Sequence, residues 1–151
     1  MKAKSFSLRD QDGNKRSLKD YKGSYLVLYF YPKDFTSGCT KEAEAFRDAA
    51  TKLDELGAVV VGVSKDSVES HKKFADKHAL PFTLLSDPDL AATKRYEAFG
   101  TKNMYGKVTE GVKRSTFLIG PDGSLLNEWR NVRVAGHVEK VIEALEQAQP
   151  A

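Results

Sequence analysis

Residues 25–46 read YLVLYFYPKDFTSGCTKEAEAF, and the fold is decided there. Residues 25–31 are apolar or aromatic without a charged interruption, which suits a strand covered on both faces, as in a parallel sheet between helices. Pro32 ends the run, because proline has no N–H to give to a ladder. A helix is expected over residues 39–56, with Ala43, Phe46, Ala50 and Leu53 three or four apart and Gly57 as its stop signal. The only cysteine of the chain, Cys39, falls in the first turn of that helix. Backbone N–H groups and the helix dipole favour negative charge at such a position, so a thiolate is stabilised. A lone cysteine is more commonly buried and inert. A core-filling cysteine, however, belongs mid-helix on the apolar stripe, whereas Cys39 follows Thr36-Ser37-Gly38 at the helix entrance. The position points to chemistry.

Working outward, residues 5–18 form short alternating segments around the turn formers Asp10-Gln11-Asp12-Gly13-Asn14, which predicts a leading β-hairpin. Residues 58–64, AVVVGVS, read as a second buried strand. Asp66 and Glu69 resemble a capping box opening a helix to about residue 78. A short strand follows at 82–85, then a helix over 89–99, and residues 100–113, with three glycines, read as a loop. Residues 114–119 and 125–130 flank Pro121-Asp122-Gly123 as an antiparallel pair, and Val138, Val141, Ile142 and Leu145 stripe a closing helix. This alternation predicts an α/β fold: a central mixed sheet flanked by helices, laid out like thioredoxin, with the hairpin in front. A chain of 151 residues without repeats or linkers fits one domain over residues 1–151. Ligands gather at the carboxyl edge of such sheets, and Cys39 falls on that edge.

Composition narrows the function classes. The chain is 40% hydrophobic and 30% charged, with a net charge of +3 that does not call for a nucleic-acid partner. No apolar run approaches the roughly 20 residues that span a bilayer, and the start, MKAKSFSLRD, has no apolar core of a signal peptide. One cysteine permits no intramolecular disulfide, which fits a reducing cytoplasm. A C-x-x-C pair, a phosphate-binding loop and a G-x-S-x-G elbow are all missing from the sequence. His71, His78 and His137 do not form a zinc set, and the sequence reading makes them solvated or capping residues. Arg95, Lys102, Lys107, Lys113 and Arg114 read mainly as a solvated basic face. No cofactor or metal is expected.

The segment Pro32-Lys33-Asp34-Phe35-Thr36-Ser37-Gly38-Cys39 resembles the P-x-x-x-T-x-x-C motif of peroxiredoxins. In a longer view FYPKDFTSGCTKEAEAFRD, SHKKFADKHALPFTLLSDPD, NMYGK, RSTFLIGPDG and WR-x-V-x-V-x-GH are similar to the PrxQ subfamily, also called bacterioferritin comigratory proteins. The likeness runs collinearly over nearly the whole chain. It implies a thiol-dependent peroxidase that reduces hydrogen peroxide and organic hydroperoxides through a Cys39 sulfenic acid, in antioxidant defence and redox homeostasis. It further implies that Thr36 offers a hydroxyl to sulfur and peroxide, that Arg114 polarises the sulfur, and that Pro32 shields the pocket, with Tyr29 or Phe30 as its wall.

Departures from the family pattern set further expectations. The positions where relatives carry a resolving cysteine hold Glu44 and Ala75. Ser37 replaces a proline common in the family, and Lys4-Ser5-Phe6 only loosely represents its amino-terminal segment. Either the natural chain is of the one-cysteine type or position 75 has been substituted. In both cases an external thiol (thioredoxin, glutaredoxin or a small thiol) must reduce Cys39, or two subunits join through it. The expected state is a cytoplasmic monomer without nucleic-acid or membrane partners. The alternatives are a non-catalytic thioredoxin-fold interaction module and a peroxide sensor that passes oxidation to a partner.

Overall fold

The computed structural model describes residues 1–104 and 106–150, apart from the side chains of residues 102–104, so Lys102 of the basic face and Tyr105 of the NMYGK stretch fall outside it. In chain order the elements are β1 (Ser7–Asp10), β2 (Lys15–Ser17), a 3-10 turn (Leu18–Tyr21), β3 (Tyr25–Phe30), α1 (Ser37–Asp48) and α2 (Ala50–Glu55). Then come β4 (Ala58–Ser64), α3 (Val68–His78), β5 (Thr83–Ser86), α4 (Ala91–Arg95), β6 (Phe99–Met104), β7 (Lys107–Val112), β8 (Ser115–Ile119), β9 (Leu125–Arg130) and α5 (His137–Ala148). The main sheet has the order β2-β1-β5-β4-β3-β8-β9. Strands β3, β4 and β5 are parallel, and the pairs on either side of them are antiparallel. The expected mixed sheet and leading hairpin are therefore present.

Strand β3 has a neighbour on each side and alternates between two cores. Val27, Tyr29 and Tyr31 pack with Ala43 and Phe46 of α1, Leu53 of α2, Phe74 and Ala75 of α3, and Val141 and Leu145 of α5. Leu26, Leu28 and Phe30 face the other way, against Ala92, Tyr96, Ala98 and Phe117. Removal of each such side chain from water is worth about 1.5–3 kcal/mol, which explains why this strand is apolar on both faces. Gly62 lies beside Tyr29 in the β3–β4 register. A Cβ there would stand 2.8 Å from the Tyr29 ring, so glycine is what lets that ring lie over β4 and stack on Phe46 at 4.8 Å between centroids.

Four local expectations are corrected. The helix over 39–56 starts two residues earlier and is divided at Ala49 (φ −94°, ψ 4°), with Leu53 still on the core side. Its neighbour α3 is capped by Ser67, whose hydroxyl accepts the Ser70 N–H at 3.1 Å, not by an Asp66–Glu69 box. The helix over 89–99 is confined to Ala91–Arg95: the Asp87 carboxylate accepts the Thr93 N–H and hydroxyl, and Glu97 at φ 58° turns the chain away. The expected loop at 100–113 contains a separate antiparallel ribbon, β6–β7. Most of β7 is exposed, so its sequence carries no alternating apolar signal.

Candidate active site

Strand β3 delivers the chain to the carboxyl edge of the sheet, where residues 31–36 turn it into α1. Thr36 is the N-cap residue, with extended backbone (φ −86°, ψ 153°). The first intrahelical bond runs from the Thr40 N–H to the Thr36 carbonyl at 2.8 Å, so the N–H groups of Ser37, Gly38 and Cys39 precede the ladder. Cys39 sits in this first turn, 2% exposed, in the same core as Tyr29 and Ala43. Of the two aromatics expected as the pocket wall, Tyr29 lies in this core and Phe30 in the other.

Arg114 immediately precedes β8 and reaches across to the start of α1. Its Nη2 donates to Cys39 Sγ at 3.3 Å, and its Nη1 donates to Glu42 Oε1 at 2.7 Å. The guanidinium therefore bridges two residues one helical turn apart. Its backbone is held as well, since the Val132 N–H donates to the Arg114 carbonyl. Gly38 leaves room for the approach: a Cβ at that position would lie 3.2 Å from Nη2, a tight contact. The pairing with Glu42 and the sulfur raises the Arg114 pKa further, against the opposing effect of burial.

Glu42 is the residue of this arrangement that sequence reading missed. Its side chain is 1% exposed, and Oε2 has no partner among the described residues. Burial raises its pKa from 4.5 to about 7, with Arg114 pulling the other way. The signal was in the sequence: an acid at the position after Thr40-Lys41 falls on the buried stripe Cys39, Glu42, Ala43, Phe46, and a buried acid calls for a cation. Between about pH 4.5 and pH 7 the folded chain holds the proton on Glu42 more tightly than the unfolded chain. The stability this contributes is fully present below about pH 4.5 and is lost as pH rises through about 7. Denaturation of Glu42→Gln is therefore expected to show a flatter stability profile across that window than the parent.

The remaining residues take up distinct places. Pro32 is half-buried at the end of the central strand. The Thr36 hydroxyl is exposed and donates to the Lys33 carbonyl at 2.7 Å rather than to the sulfur, which leaves its lone pairs open to a donor from solvent. Ser37 is the first residue of α1. Glu44 is partly exposed and pairs with Arg47 and His78, each at 3.7 Å, whereas Ala75 is buried in the Cys39 core. The solvated reading of the histidines fails for two of them. His71 is fully buried between the Asp34 carboxylate and the Leu85 carbonyl. His137 is 3% exposed against Thr116, where burial and nearby Lys140 and Arg114 lower its pKa to about 4. Partners so distant in sequence leave no local pattern by which to find them.

Comparison with known proteins bears on this arrangement. The AhpC/TSA family model matches residues 1–127. Peroxiredoxin Bcp of Bacillus subtilis is 47% identical over 144 residues, covering 95% of this chain and 92% of the relative. Peroxiredoxin Bcp of Escherichia coli is 38% identical over 145 residues, 96% of this chain and 93% of the relative. Peroxiredoxin Q of Xanthomonas campestris superposes with a TM-score of 0.90 at 43% identity, over 95% of this chain and 90% of that one. A structure of the bacterioferritin comigratory protein of the same organism, obtained to study its alkyl peroxide reduction, gives a TM-score of 0.89 at 42% identity, over 94% of this chain and 90% of that one. A family match across most of the sequence, close relatives and superposable folds agree with a lone thiol held at a helix start by an arginine: the chain belongs to the AhpC/TSA family, within its Bcp/PrxQ peroxiredoxins.

Proposed function

We propose that this chain is a thiol-dependent peroxidase that reduces hydrogen peroxide and organic hydroperoxides at Cys39. The observation that carries the reading is the Arg114 guanidinium 3.3 Å from the sulfur and braced from behind by buried Glu42. A cation so placed meets the charge that develops as the peroxide bond breaks. The Cys39 thiolate attacks one peroxide oxygen, forming an S–O bond while the O–O bond breaks. Sulfur is oxidised by two electrons to sulfenic acid, and the second oxygen leaves as hydroxide or alkoxide and takes a proton from water. The Thr36 hydroxyl, already donating to Lys33, accepts the hydrogen bond of the incoming hydroperoxide. Unpaired N–H groups at the start of α1 hold the reacting oxygen, and Pro32 keeps water from the closed side of the site.

With Glu44 and Ala75 where a second thiol would stand, the sulfenic acid is resolved from outside the chain. One thiol displaces water to give a mixed disulfide, and a second thiol releases Cys39 and leaves as the disulfide. Thioredoxin, glutaredoxin or a small thiol supplies these equivalents. We further read the chain as one domain, acting as a monomer in the cytoplasm; among the described residues no helix is long and apolar enough to cross a membrane. Peroxide consumption under each reductant tests the cycle. Sustained turnover is the expected result. A single equivalent consumed, followed by silence under every reductant, would favour a sensor, and no consumption would favour a non-catalytic module.

A further inference from the structure

Next to Phe35 and Thr36 in the chain, Asp34 belongs to a buried polar cluster that does nothing in the chemistry above. The Asp34 carboxylate is 3% exposed by residue, accepts from the Tyr31 hydroxyl at 2.6 Å and the Ser70 hydroxyl at 2.8 Å, and pairs with His71 Nδ1 at 2.7 Å. Its own backbone N–H donates to Asp66 Oδ2 at 2.9 Å, an atom that also accepts the Ser64 hydroxyl at 2.6 Å. His71 Nε2 faces the Leu85 carbonyl at 3.0 Å, which can only accept, so Nε2 carries a proton. A further proton lies between Nδ1 and Asp34, whichever of the two holds it. The ends of β3, β4 and β5 and the first turns of α3 are thereby tied to one residue of the active-site loop. Asp34, Asp66 and His71 place ligand atoms within 4.8 Å of one another, but hydrogen bonds account for that closeness without an ion.

The residue after Asp34 shows what the tie holds. Phe35 has φ 65°, a left-handed conformation that is strained for a bulky side chain and persists only where its surroundings impose it. On one side stands the Asp34 cluster, and on the other the Thr36 hydroxyl closes onto Lys33. The Phe35 ring is 47% exposed yet lies edge-on to Phe74 of α3 at 5.1 Å between centroids. The strained step from Asp34 to Thr36 is thus clamped to α3.

We propose that Asp34 and His71 are positioning residues: their buried pairing holds the 32–36 loop in its strained form and so keeps the Thr36 hydroxyl in place to receive the hydroperoxide. This inference rests on the peroxidase reading. The sulfur is held separately, by α1 and Arg114, so loosening the loop impairs reaction with peroxide and spares reactions of the thiol that need no Thr36.

The test compares the parent with Asp34→Asn, His71→Phe and His71→Asn, the last of which keeps a donor toward Asp34. Three quantities are read on folded protein: the stopped-flow rate with hydrogen peroxide, the alkylation rate with iodoacetamide, and amide hydrogen exchange over residues 35–38. Asp34→Asn and His71→Phe are expected to lower the peroxide rate by about tenfold or more while alkylation stays within about twofold, as a misplaced partner costs rate without touching the nucleophile. Exchange over residues 35–38 accelerates in both, and His71→Asn recovers part of each loss. Should the first two variants fail to fold, Ser70→Ala removes a single donor from Asp34 and is expected to give a smaller loss of the same kind. An unchanged peroxide rate in the folded variants, or alkylation falling in step with it, overturns the proposal. A parent that does not react with peroxide counts against the peroxidase reading instead, and the exchange measurement still decides whether the cluster holds the loop.

Discussion

Cys39→Ser is expected to slow the reaction with hydroperoxide by on the order of 10⁴-fold or more, leaving the slow background oxidation of methionine. A serine hydroxyl is a weak nucleophile unless a base takes its proton. The side chain that contacts Cys39 Sγ does not offer one, since the Arg114 guanidinium only donates. The substitution removes little volume from a site that is 2% exposed, and a serine oxygen still accepts from Arg114 Nη2. The variant therefore keeps its fold, which a thermal melt checks, and the loss is chemical. Stopped-flow mixing of parent and variant with hydrogen peroxide gives the two rates. Equal rates would remove Cys39 from the mechanism.

Arg114→Gln is expected to cost roughly 10²–10³-fold in the same reaction, the usual consequence of removing one preorganised donor from a buried site. The glutamine amide is shorter than the guanidinium, cannot span from Glu42 to the sulfur and carries no charge. Its loss has a second effect that works in the opposite direction on charge. Glu42 already has a pKa raised to about 7 by burial, with Arg114 restraining that rise. Without the cation the carboxyl is pushed further up and stays neutral at pH 7, so no unpaired carboxylate is left beside the sulfur. The variant thus isolates what the guanidinium gives the sulfur and the departing oxygen. Arg114→Lys is expected to restore only part of the rate, because an ammonium cannot reach both partners with its fork-like geometry.

Those two predictions use residues that the sequence made legible, and the reasons differ. Cys39 stood out because a thiol at a helix entrance is misplaced as core filler. Arg114 depended on its resemblance to a family pattern, since an arginine before a strand is otherwise a surface residue. Residues 58–64 were read to their ends because a buried parallel strand is apolar throughout, and β4 is Ala58–Ser64. The β6–β7 ribbon stayed hidden for the opposite reason: a two-stranded sheet with its face in water carries no period of two. Glu42 was legible in principle, as an acid on a buried stripe, whereas the Thr36 hydroxyl was not. Its direction is set by one side-chain torsion and by the Lys33 carbonyl. Asp34 and His71 lie 37 positions apart and meet only once β3, β4 and α3 are packed, so no local pattern announces them.

The central claim is that Cys39 takes one oxygen from a hydroperoxide and that the chain cannot resolve the product itself. Intact-mass measurement after one equivalent of hydrogen peroxide, with a sulfenic-acid trap present and peptide mapping of the product, tests it most directly. The expected result is one trap adduct on the parent, mapped to the peptide containing Cys39, and none on Cys39→Ser. A parent that emerges unmodified, or modified only at methionine, would contradict the account.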